Sequence, residues 1–169
     1  MTTLQKSTKY PLISIALHWF ILVAVVGAYV CVWAKLYNPW HFFFGALALV
    51  LSVVRFVTMH ALAKRKPAII PPISPLQNLA ALVIKIVLAL GFIILPLQGL
   101  LGRAFYGRAT DFWRVEIFPA FDVNPEIASK LLQGHVVFAY VLLGAIGLHA
   151  AAALFHHFVR KDNTLKRMM

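Results

Sequence analysis

Four long apolar stretches constrain the fold of this chain more than any other feature of its sequence. They cover residues 11–34, 41–63, 76–101 and 127–159. Each reaches the ~20 residues that a helix needs to cross the hydrocarbon core of a bilayer. Because no water is available there, a spanning segment has to satisfy its backbone N–H and C=O groups within a helix. The pattern predicts an all-α membrane protein, a single four-helix transmembrane bundle over residues 1–169.

Composition supports the membrane prediction and changes the meaning of the charge. Hydrophobic residues make up 62% of the chain and charged residues only 12%, about half the charged fraction of an ordinary soluble domain. The net charge of +11 would indicate nucleic acid in a soluble protein. Here the basic residues flank apolar spans, where they set topology and meet anionic lipid. We therefore expect membrane lipid as a partner and no nucleic acid.

The positions of the basic residues predict the orientation. Lys6 and Lys9 precede the first span, a cluster at 64–66 follows the second, and another at 160–167 follows the fourth. The positive-inside rule places these segments, and hence both termini, in the cytoplasm of a multi-pass inner-membrane protein. The first apolar run, about 24 residues long, exceeds the core of a cleaved signal peptide and is expected to remain as a span.

Four of the seven histidines lie within the predicted spans: His18, His41, His135 and His149. A histidine inside a membrane span is uncommon and indicates a functional site. His135 and His149 are 14 residues apart on the fourth span. At ~100° and ~1.5 Å per residue they lie on nearly the same face, ~21 Å apart.

Depth then pairs the four histidines across the helices. Counted from the basic residues at the cytoplasmic ends, His149 and His18 lie ~16 and ~13 Å into their spans. His135 and His41 lie ~37 and ~34 Å in. The sequence therefore predicts an inner pair, His18 with His149, and an outer pair, His41 with His135.

Two such pairs favour haem over other metal centres. Two axial imidazoles fill both free positions of a haem iron, which suits electron transfer. The chain has no C-x-x-C-H motif, so covalent c-type attachment is not expected. The ~21 Å separation excludes one shared metal, and a pair of histidines alone would leave zinc under-coordinated. We predict two b haems, with histidines used only for helix packing as the alternative.

Other polar residues lie close to the predicted haem sites. Arg55, 14 residues after His41, lies at the depth of the inner pair, where a guanidinium would bind a haem propionate or a quinone oxygen unless it extends to the interface. His156 continues the stripe of His149 toward the cytoplasm and could supply a proton to quinone. Gly45 near His41 would let a macrocycle approach the backbone or let helices pack closely. Lys85 has no evident partner.

Several of these residues also belong to recognisable motifs. The segment IALHW at 15–19, His41 followed by Gly45 and Arg55, GLHAAAALFHH at 147–157 and KDNTLKRMM at 161–169 resemble the bacterial cytochrome b561 family over almost the whole chain. The resemblance implies a four-helix di-haem b protein of the inner membrane, whose ligands fall on the same four histidines. Lys85 departs from the family pattern, which has a histidine there.

The resemblance also implies an activity. Similar family members include a superoxide oxidase, which takes electrons from superoxide at the outer face and delivers them to ubiquinone. A histidine matching His156 lies at its quinone site. We therefore predict a superoxide:ubiquinone oxidoreductase, with basic residues such as Arg103 attracting the superoxide anion. One alternative is electron exchange with a periplasmic redox protein, and another is a haem-free transporter or structural subunit.

Overall fold

The computed structural model describes residues 8–169, so Lys6, which was used to orient the first span, lies outside the described residues. Four α-helices dominate this range, and each is long and apolar enough to cross a membrane. They are α1 (Leu12–Trp33), α2 (Phe42–Ala61), α3 (Pro75–Phe105) and α4 (Pro125–Phe158). Short helical turns lie at Tyr37–His41, Ala63–Arg65 and Lys166–Met168.

Prolines and side-chain caps determine where these helices begin. α1 starts directly after Pro11. Ser74 caps α3 in a capping box with Gln77 and precedes a first-turn proline, which satisfies backbone N–H groups that have no partner in the helix. At α4 the side chain of Asn124 accepts a hydrogen bond from the Ile127 N–H, and Pro125 occupies the first turn. An N-cap side chain followed by a first-turn proline is a common start of a helix.

Consecutive helices pack against one another, α1 on α2, α2 on α3 and α3 on α4. The core between them includes Ile21, Ala24, Val25 and Ala48. Many large apolar side chains on the outer faces are exposed, as expected of surfaces that contact lipid. α1 and α4 are joined where the Tyr29 hydroxyl donates to the Ala139 carbonyl oxygen at 2.6 Å.

Both ends of the described chain lie at the same end of the bundle. The Tyr10 N–H donates to the Arg167 carbonyl oxygen at 3.1 Å, just before α1 and close to the last residue. We call this end of the bundle the termini end. An even number of spans returns the chain to the side on which it started, as the sequence predicted.

The opposite end, which we call the hairpin end, departs from a purely helical fold. Strands β1 (Thr110–Phe112) and β2 (Val115–Phe118) form an antiparallel hairpin between α3 and α4. The Phe112 ring stacks on Phe43 at a centroid distance of 4.6 Å, and Trp113 stacks on Phe112. Apolar and polar residues alternate over 113–117, a pattern typical of a short exposed strand. The predicted bundle is thus confirmed, with this small hairpin added.

Candidate functional site

The pair predicted near the outer face meets at the hairpin end. His41 ends the turn before α2 and His135 lies in the first third of α4, and their ring centroids are 6.2 Å apart. The Nδ1 atom of His41 is 3.0 Å from the Ala28 carbonyl oxygen, and that of His135 is 2.8 Å from the Leu95 carbonyl oxygen. A carbonyl oxygen only accepts, so Nδ1 carries the proton and Nε2 is the free nitrogen of each ring.

The second pair meets nearer the termini end. His18 of α1 and His149 of α4 have ring centroids 6.4 Å apart, and both side chains are half-buried. The structure thus brings the four predicted histidines together in the two pairs that the depth argument gave. Their function as metal ligands remains a prediction.

The spacing of both pairs fits a metal ion held between two imidazoles. A metal–imidazole bond is about 2 Å long and a ring nitrogen lies about 1 Å from its centroid, so two axial imidazoles place their centroids about 6 Å apart. Among residues 8–169, no group of three or more His, Cys, Asp or Glu side chains could hold a metal ion. Two imidazoles alone under-coordinate a free ion, whereas a porphyrin supplies the remaining nitrogens.

An apolar cavity surrounds the rings of the hairpin-end pair. Residues from all four helices line it, including Val25, Tyr29, Phe92, Gly99 and Leu142 as well as both histidines. Gly45 also lines it, and a Cβ atom added there would meet no other atom within 4 Å. Free space next to a helix backbone and beside a paired histidine is what a flat macrocycle requires, so the cavity fits haem.

Filling this cavity from Gly45 should exclude the macrocycle. We expect Gly45→Leu to reduce bound haem to about half of the wild-type amount, because its side chain enters free space in the hairpin-end cavity without overpacking the protein itself. Haem per chain from a pyridine haemochrome assay measures the change. Gly144→Leu is the control, since Gly144 is exposed and also has no atom within 4 Å of an added Cβ. Equal haem content in both variants would contradict the assignment of the cavity.

Two cationic side chains accompany the His18–His149 pair. Arg55 is half-buried, and its Nη1 atom donates to the Ser14 carbonyl oxygen at 2.6 Å, one helical turn before His18. It therefore points into the bundle against α1 and does not extend to the interface. Lys85 of α3 is within electrostatic range of His149, as is Arg55. Lys85 is exposed and also lies within electrostatic range of Lys66 and Arg167, so the structure assigns it no anionic partner among the described residues.

His156 has an acidic partner. Its Nδ1 atom is 2.5 Å from the Oδ2 atom of Asp162, whose side chain is fully buried. The Thr164 N–H donates to the other carboxylate oxygen at 2.9 Å. Burial alone would raise the pKa of Asp162, but the hydrogen bonds from His156 and Thr164 outweigh it and keep the pKa below its ordinary value. The carboxylate therefore stays charged around neutral pH and stabilises the fold until the pH falls through that lowered pKa.

The segment after α4 folds back and holds Asp162 in place. The buried Arg167 donates from Nη1 to the Pro67 carbonyl oxygen at 2.8 Å. Asn163 accepts from the Ile70 N–H at 2.8 Å, and the Trp19 indole donates to the Met168 carbonyl oxygen at 2.9 Å. These bonds join the tail to the α2–α3 connection and to α1, so the KDNTLKRMM segment builds the termini end of the site.

Sequence reasoning missed three partners of the predicted residues. Asp162 follows His156 by six residues, and an acid so close to a candidate proton donor was a usable signal. The carbonyl oxygens of Ala28 and Leu95 had no such signal, because every residue carries a carbonyl. Only Gly99, where an added Cβ would lie 3.1 Å from the His135 ring, marks the place where that ring meets α3.

Comparison with known proteins finds a matching family model and several similar proteins. A family model described as prokaryotic cytochrome b561 matches residues 9–169. Cytochrome b561 homolog 1 of Escherichia coli (strain K12) is 32% identical, over 92% of this chain and 93% of that protein. The probable superoxide oxidase CybB of Yersinia pestis is 35% identical, over 95% of this chain and 96% of that protein. Cytochrome b561 homolog 2 of E. coli is 28% identical over 100% of this chain.

Proposed function

The chain belongs to the prokaryotic cytochrome b561 family, and from that premise we propose that it is a superoxide:ubiquinone oxidoreductase with two b haems. The family consists of haem-b electron-transfer proteins, and four spanning helices make this member a multi-pass protein of the bacterial inner membrane. Membership in an electron-transfer family leaves no support for the haem-free transporter considered from the sequence.

One observation carries the proposal: two facing histidine pairs are arranged along the bundle, and a histidine–carboxylate pair lies beyond the second. His41 and His135 would hold one haem, and His18 and His149 the other. Haem held by these residues would supply reversible one-electron transfer. Such an arrangement connects a one-electron donor at the hairpin end with a proton-coupled acceptor at the termini end.

Charge at the hairpin end supports an anionic donor. Arg103 lies 4.7 Å from the centroid of the Phe42 ring, next to His41, and its Nε atom donates to the Ala109 carbonyl oxygen at 3.0 Å. Its fixed positive charge would attract superoxide and hold it near the pair. Two superoxide ions each lose one electron and leave as oxygen, and one ubiquinone takes up both electrons together with two protons.

The termini end supplies the protons. Because Nδ1 of His156 faces Asp162, Nε2 is the ring nitrogen available to a quinone oxygen. His156 lies seven residues beyond His149, which places it ~10 Å closer to the end of the bundle. A proton given up at Nε2 would be replaced from the aqueous phase, and the hydrogen bond between Nδ1 and the Asp162 carboxylate would keep the ring oriented.

The basic residues near the termini end support the proposed orientation. Lys66, Arg160 and Arg167 lie there, so the positive-inside rule places this end in the cytoplasm and the hairpin in the periplasm. In that orientation superoxide is oxidised outside and quinone receives its protons from the cytoplasm.

A direct assay tests the activity. Detergent-purified holoprotein with ubiquinone is expected to speed the disappearance of superoxide and to form one quinol for every two superoxide ions consumed. Omission of quinone, or addition of superoxide dismutase, is expected to abolish quinol formation. Superoxide decay at the uncatalysed rate, without quinol, would show that superoxide is not the donor while leaving the haems intact.

A second candidate function is electron exchange with a periplasmic redox protein. The observation that favours it is the exposed Trp113 at the tip of the hairpin, 69% exposed and stacked on Phe112. An exposed aromatic residue among charges is common at protein interfaces. Trp113→Ser would slow reduction by a protein donor but leave reaction with the small superoxide ion unchanged, which separates the two candidates.

A further inference from the structure

The two histidine pairs differ in their hydrogen bonds. Both rings of the hairpin-end pair donate Nδ1–H to backbone carbonyl oxygens, those of Ala28 and Leu95. Within residues 8–169 no such bond is made by His18 or His149. A donated Nδ1–H makes an imidazole a more basic ligand. A more basic ligand stabilises the oxidised iron, so these bonds lower the reduction potential of whatever haem the hairpin-end pair holds.

The charged side chains near the two pairs also favour a higher reduction potential at the His18–His149 pair. Arg55 is bound to the Ser14 carbonyl oxygen one turn from His18. The side chains that would clash with added Cβ atoms show the register of α3 on α4: Gly99 faces His135, and Gly91 faces Leu142. Lys85 lies six residues before Gly91 and His149 seven beyond Leu142, so the antiparallel helices bring them to one level.

Lys85 also lies on the same face of α3 as two residues that line the hairpin-end cavity. It precedes Phe92 by seven residues and Gly99 by fourteen, so all three lie on nearly the same face of the helix. Phe92 and Gly99 line the hairpin-end cavity. Lys85, whose side chain is exposed, therefore lies on the face of α3 that carries these cavity residues and at the level of His149, and the two side chains interact electrostatically. A cation there stabilises a haem that has gained an electron.

At the hairpin end an acidic side chain offsets part of the positive charge near the histidine pair. Arg103 is the cation next to Phe42 and His41, and it interacts with Arg108 as well as with Asp111, whose negative charge offsets part of the positive field of the two guanidinium groups. We propose that the His18–His149 pair holds the higher-potential haem, with Lys85 and Arg55 as the residues that raise its potential, and that the His41–His135 pair holds the lower-potential haem. The inference rests on the proposed di-haem function. It makes electron transfer from the hairpin end to the termini end favourable within this chain.

Redox potentiometry of the purified holoprotein tests this ordering. Wild-type protein is expected to titrate in two one-electron steps, and His149→Ala is expected to remove the step at higher potential. Lys85→Met should shift only that higher step downward, changing the equilibrium constant between the two sites by about tenfold, which is about 59 mV for one electron. Lys85→Arg retains the charge and should retain the potential. Lys64→Met, an exposed cation at the same end, should change neither step.

The outcomes separate this inference from the function on which it rests. Fewer than two haems in wild-type protein would refute the di-haem proposal itself. If wild-type protein holds two haems and His149→Ala loses the step at lower potential, the ordering is overturned, whatever effect the Lys85 variants have. If Lys85→Met shifts the lower step or neither step, Lys85 does not tune the inner site. Should Lys85→Met fail to assemble, Lys85→Gln replaces it, since it also removes the charge while keeping a polar side chain.

Discussion

Alanine at His149 is expected to remove one of two b haems and to leave the other spectroscopically intact. His18 alone would then hold this haem, so the haem would be bound weakly and lost on purification. Haem per chain, from a pyridine haemochrome assay on detergent-purified protein, should fall by about half. The same fall is expected for alanine at His18, because the two rings face each other at 6.4 Å.

Double variants test the pairing itself. His18→Ala combined with His149→Ala should still retain one haem, because both changes affect the same site. His18→Ala combined with His135→Ala should retain none, because it damages both sites. His157→Ala is the control, since His157 neighbours His156 but belongs to neither pair. Complete loss of haem from the first double variant, with the fold intact by circular dichroism, would show that the pairs are misassigned.

Glutamine at His156 is expected to slow quinone reduction by about 10²-fold while leaving both haems in place. Glutamine can still donate a hydrogen bond to Asp162, so the tail should remain docked, but it transfers no proton at neutral pH. The measurement is the rate at which pre-reduced protein is reoxidised by ubiquinone, followed by stopped-flow absorbance of the haems. Reduction of the protein from the hairpin end should keep its wild-type rate.

Two further variants sharpen this prediction. His157→Gln changes the adjacent histidine in the same way and is expected to reoxidise at the wild-type rate. Asp162→Asn leaves the His156 ring but removes the carboxylate that orients it, so a smaller loss than in His156→Gln is expected. Equal rates for His156→Gln and His157→Gln would remove His156 from the quinone reaction.

The sequence by itself determined the transmembrane fold and the histidine pairing. Span length is set by the thickness of the bilayer, and a helix has a constant rise per residue, so counting from the basic residues gives the depth of each side chain. For that reason His18 could be matched with His149, and His41 with His135, by counting residues alone. Arg55 was placed near the inner pair by the same count. Depth is a single coordinate along the membrane normal, and it can be counted from the basic residues at the ends of the spans.

Contacts that depend on the direction of a side chain or on a chain reversal were decided only by the tertiary structure. The carbonyl oxygens that orient His41 and His135 belong to helices distant in sequence, and any residue could have supplied them. Asp162 reaches His156 because the tail folds back and Arg167 is buried against Pro67. The hairpin at 110–118 lies outside the spans, where water can satisfy the backbone and no bilayer enforces a helix. The bilayer restricts the spans enough for depth to be counted from the sequence, whereas these contacts depend on packing in three dimensions.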